Sequence, residues 1–158
     1  MIAPDERRIR VLLVDDQVFN LILLENLIQS SFPNAQFEQA LNGKLALDKV
    51  IEFDRAGTPF EMIFMDINMP EMDGIESSAQ ITTQFKQGKI SSKPFIAAIT
   101  AYTSEEMKFK SMSNGMEKFL TKPANTQVIY NMIKKFIDAR ERNWSQPSKM
   151  VSISSLAR

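Results

Sequence analysis

The chain contains 158 residues, enough for one domain of ordinary size, and its 19 basic residues balance 19 acidic ones. It has no cysteine and no histidine, which excludes disulfides, Cys-based zinc or iron–sulfur sites, His-dependent hydrolases and a phosphohistidine on this chain. The zero net charge gives no electrostatic argument for binding nucleic acid or an anionic membrane. Without a bilayer-length apolar run or a signal-peptide core, we expect a cytoplasmic protein that does not insert into a membrane.

The first half of the chain predicts three strands that alternate with two helices. Residues 9–14 are apolar and rich in β-branched side chains, which is typical of a buried strand in a parallel sheet. Leu21, Leu24 and Ile28 then recur at helical spacing, and residues 30–34 end that helix. The segments that follow are a weaker strand over 36–41, a helix over 44–53 and a buried strand over 60–65.

The second half continues the same alternation. Pro70 and the Asp73–Gly74 pair mark a loop, and a polar helix follows it to about Phe85. Residues 95–99 predict a fourth strand, and Ser104 predicts the start of a helix that ends at Asn114–Gly115. The remaining elements are a short strand over 118–120 and a helix with an apolar stripe at positions 129, 132, 133, 136 and 137.

This alternation predicts an α/β fold with helices on both faces of one sheet. We expect a flavodoxin-like, doubly wound sheet of five parallel strands in the order 2-1-3-4-5, with five helices. The expected domain covers 9–142, after an N-terminal extension over 1–8 and before a polar, flexible tail over 143–158. Ligands of such sheets bind beyond the carboxyl ends of the strands.

Residues that can carry chemistry follow the carboxyl ends of four predicted strands: Asp15 and Asp16, Asp66, Thr100, and Lys122. Strands one and three are neighbours in the predicted order, so the three carboxylates converge and repel one another. Mg²⁺ offsets that repulsion, because it binds carboxylate oxygens and keeps several waters. With the ammonium and the hydroxyl, such an ion forms a receptor for a phosphoryl group, which Asp66 can accept as a nucleophile.

Four segments resemble the receiver domain of two-component response regulators. They are Val11–Asp16, Met65–Gly74, Ala98–Ala101 and Phe119–Pro123, in the order and at the spacing of that family. The loop Met69–Gly74, with the sequence Met-Pro-Glu-Met-Asp-Gly, is most similar to receivers attached to hybrid histidine kinases.

The resemblance implies the role of each residue in the reaction and in the response to it. It implies that Asp66 is the phosphoacceptor, that Lys122 is the ion-pairing lysine and that Thr100 moves toward the phosphoryl group. Phe119 matches the switch aromatic, although it lacks the hydroxyl of the tyrosine that many receivers have there.

The resemblance also implies a complete Mg²⁺ site. Asp15 and Asp16 match the acidic pair, of which the second usually binds the ion directly and the first often acts through water. Asp66 and the backbone carbonyl of Asn68 match the remaining protein ligands. The peptide bond between Lys122 and Pro123 is cis in the family, an isomer that X-Pro bonds adopt readily.

The implied function is that of a receiver in a two-component phosphorelay. A histidine kinase or a histidine phosphotransfer protein would donate the phosphoryl group to Asp66, and the receiver would catalyse this transfer and its own dephosphorylation. The modified receiver would then change the surface formed by helix four, strand five and helix five, which a downstream effector could bind.

Three alternatives are distinguished by particular residues. A constitutive binding module of the same fold would be favoured by loss of Asp66, of the acidic pair or of Lys122, and all are present. Haloacid-dehalogenase-like phosphohydrolases need an Asp-x-Asp pattern, whereas Asn68 occupies the position of the second acid here. A Rossmann nucleotide-binding domain needs a glycine-rich loop after the first strand, which this sequence lacks.

Overall fold

The computed structural model describes residues 2–145, which divide into two units. The first unit ends at Asn125 and holds five strands and four helices, and the second begins at Thr126 and holds one helix. In chain order the elements are β1 (Arg10–Val14), α1 (Val18–Ser31), β2 (Gln36–Ala40), α2 (Gly43–Arg55), β3 (Met62–Met65), α3 (Gly74–Lys86), β4 (Phe95–Thr100), α4 (Glu105–Ser113), β5 (Lys118–Thr121) and α5 (Thr126–Trp144). The predicted type and order of the elements are confirmed.

The five strands form one parallel sheet in the order β2-β1-β3-β4-β5. The register pairs Val14 with Met65 and Met65 with Ala98, so neighbouring strands end at similar heights. The last residues of β4 and β5, Thr100 and Thr121, also pair with each other. The predicted flavodoxin-like sheet is therefore confirmed, and its carboxyl ends form a common edge.

One face of the sheet packs against α2 and α3. Leu12 and Ile63 from the strands form a buried cluster with Leu47 of α2 and Ile81 of α3. Side chains alternate between faces along a strand, so this pattern leaves the neighbouring strand residues on the other face. The burial of both faces explains why the central strands are almost continuously apolar.

Helix α1 covers part of the opposite face. Its side chains Leu21 and Leu24 line the same cavity as Phe64 of β3 and Ile99 of β4, which lie on this face of the sheet. Leu21 and Ile28 of the predicted stripe are buried, and Leu24 is half-buried. The three residues therefore lie on the inner face of α1, as their helical spacing predicts.

Side-chain caps begin three of the helices. Asn42 accepts a hydrogen bond from the backbone N–H of Leu45 at 2.8 Å, and Asp73 accepts one from Glu76 at the same distance. Ser104 accepts one from Met107 at 3.1 Å. Each bond satisfies a donor that the first turn of a helix leaves unpaired. The helix start predicted at Ser104 is thereby confirmed, and Asp73 caps the helix that follows the predicted loop.

Helix α5 has the predicted apolar stripe, since Ile129, Met132, Ile133 and Ile137 are buried. It continues to Trp144, so the first two residues of the predicted tail are helical. Positions 146–158 of that tail lie outside the described residues, and the division of the chain at 8 and 142 stays a prediction. Within residues 2–145, no helix has the length and apolar character that crossing a bilayer requires.

Candidate functional site

Three carboxylates meet at the carboxyl edge of the sheet. Asp15 and Asp16 directly follow β1, and Asp66 directly follows β3, which is the neighbour of β1. One carboxylate oxygen from each aspartate lies within 4.8 Å of the other two. Asp15 and Asp66 are buried and Asp16 is half-buried. The structure thus brings the three acids together, as the predicted strand order required.

Lys122 connects two of these acids. Its Nζ donates a hydrogen bond to Oδ2 of Asp15 at 2.7 Å and another to Oδ2 of Asp66 at 3.0 Å. Lys122 follows β5 directly, and its peptide bond with Pro123 is cis, as the family resemblance implied. One ammonium therefore bridges two carboxylates that follow the neighbouring strands β1 and β3, and it offsets part of their charge.

Burial and the opposed charges shift the pKa values of the paired groups. Burial raises the pKa of Asp66 above its ordinary value, and the nearby charge of Asp15 raises it further, although Lys122 opposes both effects. Burial acts against the charged form of Lys122, but its hydrogen bonds to Asp15 and Asp66 outweigh this effect and raise the pKa of Lys122. Lys122 is therefore charged at neutral pH, whereas ionisation of Asp66 is less favourable than that of an ordinary aspartate.

Hydrogen bonds fix the orientation of the two buried acids. The backbone N–H of Gln17 donates to Oδ1 of Asp15 at 2.8 Å, and the side-chain amide of Asn20 donates to both oxygens of Asp15 at 3.2 and 3.3 Å. The backbone N–H of Ile67 donates to Oδ1 of Asp66 at 2.7 Å. The role of Asn20 was not predicted, because its contact depends on how α1 packs over the sheet.

The other predicted residues occupy the same edge or the strand beside it. Thr100 ends β4, is fully buried, and its hydroxyl oxygen accepts the backbone N–H of Tyr102 at 3.3 Å. Asn68 is exposed in the loop between β3 and α3. Phe119 lies in β5, is half-buried and packs against the buried cluster. The structure shows where these side chains lie, and their predicted roles stay proposals.

A cavity of about 580 Å³ opens beside the charged residues. Asp15, Asp66 and Lys122 contribute to its wall, as does Asn20 of α1. The rest of its lining is almost entirely apolar and includes Leu23, Leu24, Leu27, Phe64, Ile99 and Pro123. The site is therefore open to a reactant on its α1 side.

A family match covers most of the chain. The sequence model that describes the response regulator receiver domain matches residues 11–134. The chain belongs to the response regulator receiver family. This membership confirms the resemblance that the four sequence segments carry, and it identifies the chain as a receiver domain of two-component phosphorelays.

A sequence relative indicates the kind of protein in which such a receiver occurs. The receiver is 32% identical over 127 residues to hybrid signal transduction histidine kinase L of Dictyostelium discoideum. That match covers 80% of this chain and 7% of the kinase. The chain thus spans only a small part of the curated relative, and its similarity to receivers of hybrid histidine kinases is confirmed.

Two solved structures show the same fold at similar levels of identity. The receiver domain of the histidine kinase CKI1 from Arabidopsis thaliana, complexed with Mg²⁺ and BeF₃⁻, is 30% identical and has a TM-score of 0.70, with 82% of this chain and 89% of that chain covered. The receiver domain of the Saccharomyces cerevisiae response regulator Ssk1, solved with the histidine phosphotransfer protein Ypd1, is 27% identical with a TM-score of 0.71, over 86% of this chain and 91% of that chain.

Proposed function

We propose that Asp66 accepts a phosphoryl group from a phosphohistidine of a partner protein in a Mg²⁺-dependent reaction. The observation that supports this most strongly is the meeting of Asp15, Asp16 and Asp66 within 4.8 Å, with Lys122 bonded to two of them. Phosphoryl transfer depends mainly on positioning and on neutralising charge, and this cluster would provide both once Mg²⁺ binds.

The chemistry of the cluster fits Mg²⁺. The three aspartates offer hard oxygen ligands, and the backbone carbonyl of Asn68 lies on the loop that follows Asp66. When bound, the ion neutralises the carboxylates and the negative charge of the phosphoryl oxygens. The receiver of CKI1 was solved with Mg²⁺ and BeF₃⁻, which supports the same assignment for this chain.

In the proposed reaction a carboxylate oxygen of Asp66 attacks the phosphorus of the phosphohistidine. The new O–P bond gives an acyl phosphate as the N–P bond breaks, and the released imidazole nitrogen keeps the electron pair. Lys122, already hydrogen-bonded to Asp66, provides a positive charge for the phosphoryl oxygens. Because this chain has no histidine, the donor belongs to another protein or is a small phosphodonor.

An exposed apolar face of α1 supports docking of the protein that carries the phosphohistidine. Val18, Phe19, Ile22 and Leu23 are all exposed, and Phe19 reaches 69% exposure. Glu25 is the single charged residue of this helix. Leu23 also lines the cavity beside Asp66 and Lys122, so the face is continuous with the site. Exposed apolar patches of this kind mark protein interaction surfaces.

We also propose that the phosphorylated receiver changes its output surface at α4 and β5, with α5 as the third element that the family resemblance implies. Helix α4 contacts β5 and exposes Phe109 and Met112. Thr100 and Phe119, on the paired strands β4 and β5, would transmit the change from Asp66 to this surface. A downstream effector would bind it. The cytoplasmic location of the protein stays a prediction.

Beryllofluoride, a mimic of the phosphoryl group, distinguishes this function from that of a constitutive binding module. We expect ¹⁹F NMR to show a bound beryllofluoride signal with the wild type only when Mg²⁺ is present. Asp66→Asn should remove the signal, whereas Asp48→Asn, which changes an exposed acid on α2, should keep it. A folded wild type that gives no bound signal with Mg²⁺ would favour the constitutive binding module.

A further inference from the structure

Gly43, the first residue of α2, contacts the loop that carries the candidate metal ligand Asn68. Its backbone N–H donates a hydrogen bond to the carbonyl oxygen of Met72 at 3.0 Å. The hydroxyl of Ser77, on the first turn of α3, donates to the carbonyl oxygen of Gly43 at 2.8 Å. These bonds tie the end of the β3–α3 loop, residues 66–73, to the start of α2.

The contact leaves no space for a side chain at position 43. A Cβ atom there would lie 2.6 Å from the carbonyl oxygen of Met72, 2.8 Å from that of Asp73 and 2.9 Å from Cβ of Ser77. Two of these neighbours are backbone atoms, which no side-chain rotation can remove. Since Gly43 lies in a helix, close approach rather than an unusual backbone conformation accounts for glycine at this position.

A second glycine, Gly74, contacts the other end of the same loop at Asp66, the proposed phosphoacceptor. The backbone N–H of Gly74 donates to the carbonyl oxygen of Ile67 at 2.8 Å. A Cβ atom at Gly74 would lie only 2.1 Å from the carbonyl oxygen of Asp66. The loop is thus fixed to β3 by Gly74 and to α2 by Gly43, and Asn68 lies between the two contacts.

The β3–α3 loop also contains one residue, Glu71, in a strained backbone conformation. Glu71 has a φ of 67° although it is not glycine, a conformation that L-residues rarely adopt. The next residue, Met72, is the one whose carbonyl accepts the bond from Gly43. The contact at Gly43 therefore holds the loop directly after its strained position.

We propose that Gly43 is a positioning residue for the Mg²⁺ site, acting through the β3–α3 loop. By fixing Met72 and Asp73, it places Asn68 and Asp66 so that they face the acidic pair after β1. This inference rests on the proposed function, because it concerns how the same site is held ready for the ion. A displaced loop would weaken metal binding even though every ligand is still present.

Gly43→Ala tests the proposal directly. We expect titration calorimetry to show Mg²⁺ affinity lowered at least fivefold, because the methyl group displaces the carbonyls of Met72 and Asp73. Amide hydrogen exchange without Mg²⁺ should also show faster exchange at residue 43, since its bond to Met72 is lost. The matched control is Gly88→Ala: Gly88 has a φ of 69° and no atom near its would-be Cβ, so the variant strains the backbone away from the loop. It should keep wild-type Mg²⁺ affinity.

The outcomes separate this inference from the proposed function. A wild type that binds no Mg²⁺ would overturn both. Normal wild-type binding, with unchanged affinity in a folded Gly43→Ala variant, would overturn only the role of Gly43. If circular dichroism shows Gly43→Ala to be unfolded, Ser77→Ala decides, since it removes the bond to Gly43 without adding bulk. Its Mg²⁺ affinity should fall about twofold or more, and an unchanged affinity would contradict the proposal.

Discussion

Nζ of Lys122 lies 3.0 Å from Oδ2 of Asp66, although 56 positions separate the two residues in the sequence. The same nitrogen lies 2.7 Å from Oδ2 of Asp15, so one positive charge serves two buried carboxylates. Asp16 brings a third carboxylate to the cluster. The receiver site therefore holds more negative than positive charge, which is the electrostatic condition that favours a divalent cation.

Lys122→Ala should destabilise the Mg²⁺-free receiver by about 1–2 kcal/mol, because it leaves Asp15 and Asp66 close together without a counter-ion. The estimate is below the range for fully buried pairs, since the side chain of Lys122 is 25% exposed. Urea unfolding in the presence of a chelator measures the loss. Lys44→Ala removes a surface lysine that is 53% exposed and should change stability by less than about 0.5 kcal/mol.

The Lys122→Ala variant also distinguishes a role of the lysine in phosphoryl transfer from a role in Mg²⁺ binding. Mg²⁺ binding to Lys122→Ala should persist, because no proposed metal ligand is removed, and the bound ion should recover part of the lost stability. Phosphorylation of Asp66 should be slower, since the phosphoryl oxygens lose a cation. Loss of Mg²⁺ binding would show that Lys122 supports the metal site, and an unchanged phosphorylation rate with Mg²⁺ still bound would exclude its role in the transfer.

Asp16→Ala should weaken Mg²⁺ binding about tenfold or more, which corresponds to about 1.4 kcal/mol. Asp16 is only half-buried, and the described contacts do not pair it with Lys122, so the substitution removes a proposed metal ligand with little effect on the ion pair. Titration calorimetry gives the affinity, and Asp48→Ala is the surface control. Equal affinity in wild type and Asp16→Ala would exclude Asp16 as a ligand.

The raised pKa of Asp66 predicts a pH-dependent difference in stability between wild type and Asp66→Asn. The ordinary value is 3.8, and a higher pKa in the folded receiver means that ionising Asp66 disfavours the folded state. As pH rises through the folded pKa, Mg²⁺-free wild type should lose stability relative to Asp66→Asn. Urea unfolding with a chelator should show that the stability of the variant relative to wild type increases as pH rises from 3.8 toward neutrality. A relative stability that stays constant or decreases over this range would contradict the assigned shift.

Much of the site could be predicted because its residues follow strands. Asp66 and Lys122 each come directly after a short apolar segment, and the parallel order of those segments brings their ends to one edge. The caps at Asn42, Asp73 and Ser104 were predictable for a similar reason, since they depend on residues only three positions away.

Contacts between elements could not be predicted in the same way. The bond from Asn20 to Asp15 depends on the packing of α1, and the need for glycine at position 43 depends on the approach of a loop from another helix. Helix α1 also carries apolar residues outside the predicted stripe, and apolar character alone does not show that one of them, Phe19, is exposed. Such features become visible only when the elements are assembled.

Phe19→Ala should slow phosphotransfer from a phosphorylated histidine phosphotransfer protein about tenfold, because a large apolar contact is lost from the proposed docking face. Phosphorylation by a small phosphodonor should be unchanged, since Phe19 does not belong to the charged cluster. Phe109→Ala, on α4, removes an aromatic side chain of similar exposure, 75%, and should leave both rates unchanged. A Phe19→Ala variant that slows both reactions equally would indicate damage to the site instead of loss of docking.

The central claim is that Asp66 is the acceptor of a Mg²⁺-dependent phosphorylation, and intact mass spectrometry tests it most directly. Wild type, Asp66→Asn and Asp48→Asn are incubated with a small phosphodonor, each with Mg²⁺ and with a chelator. We predict a gain of one phosphoryl group in wild type and Asp48→Asn with Mg²⁺, and no gain in Asp66→Asn or in any sample with chelator. A phosphoryl adduct of equal yield in Asp66→Asn, or in wild type with chelator, would contradict the account.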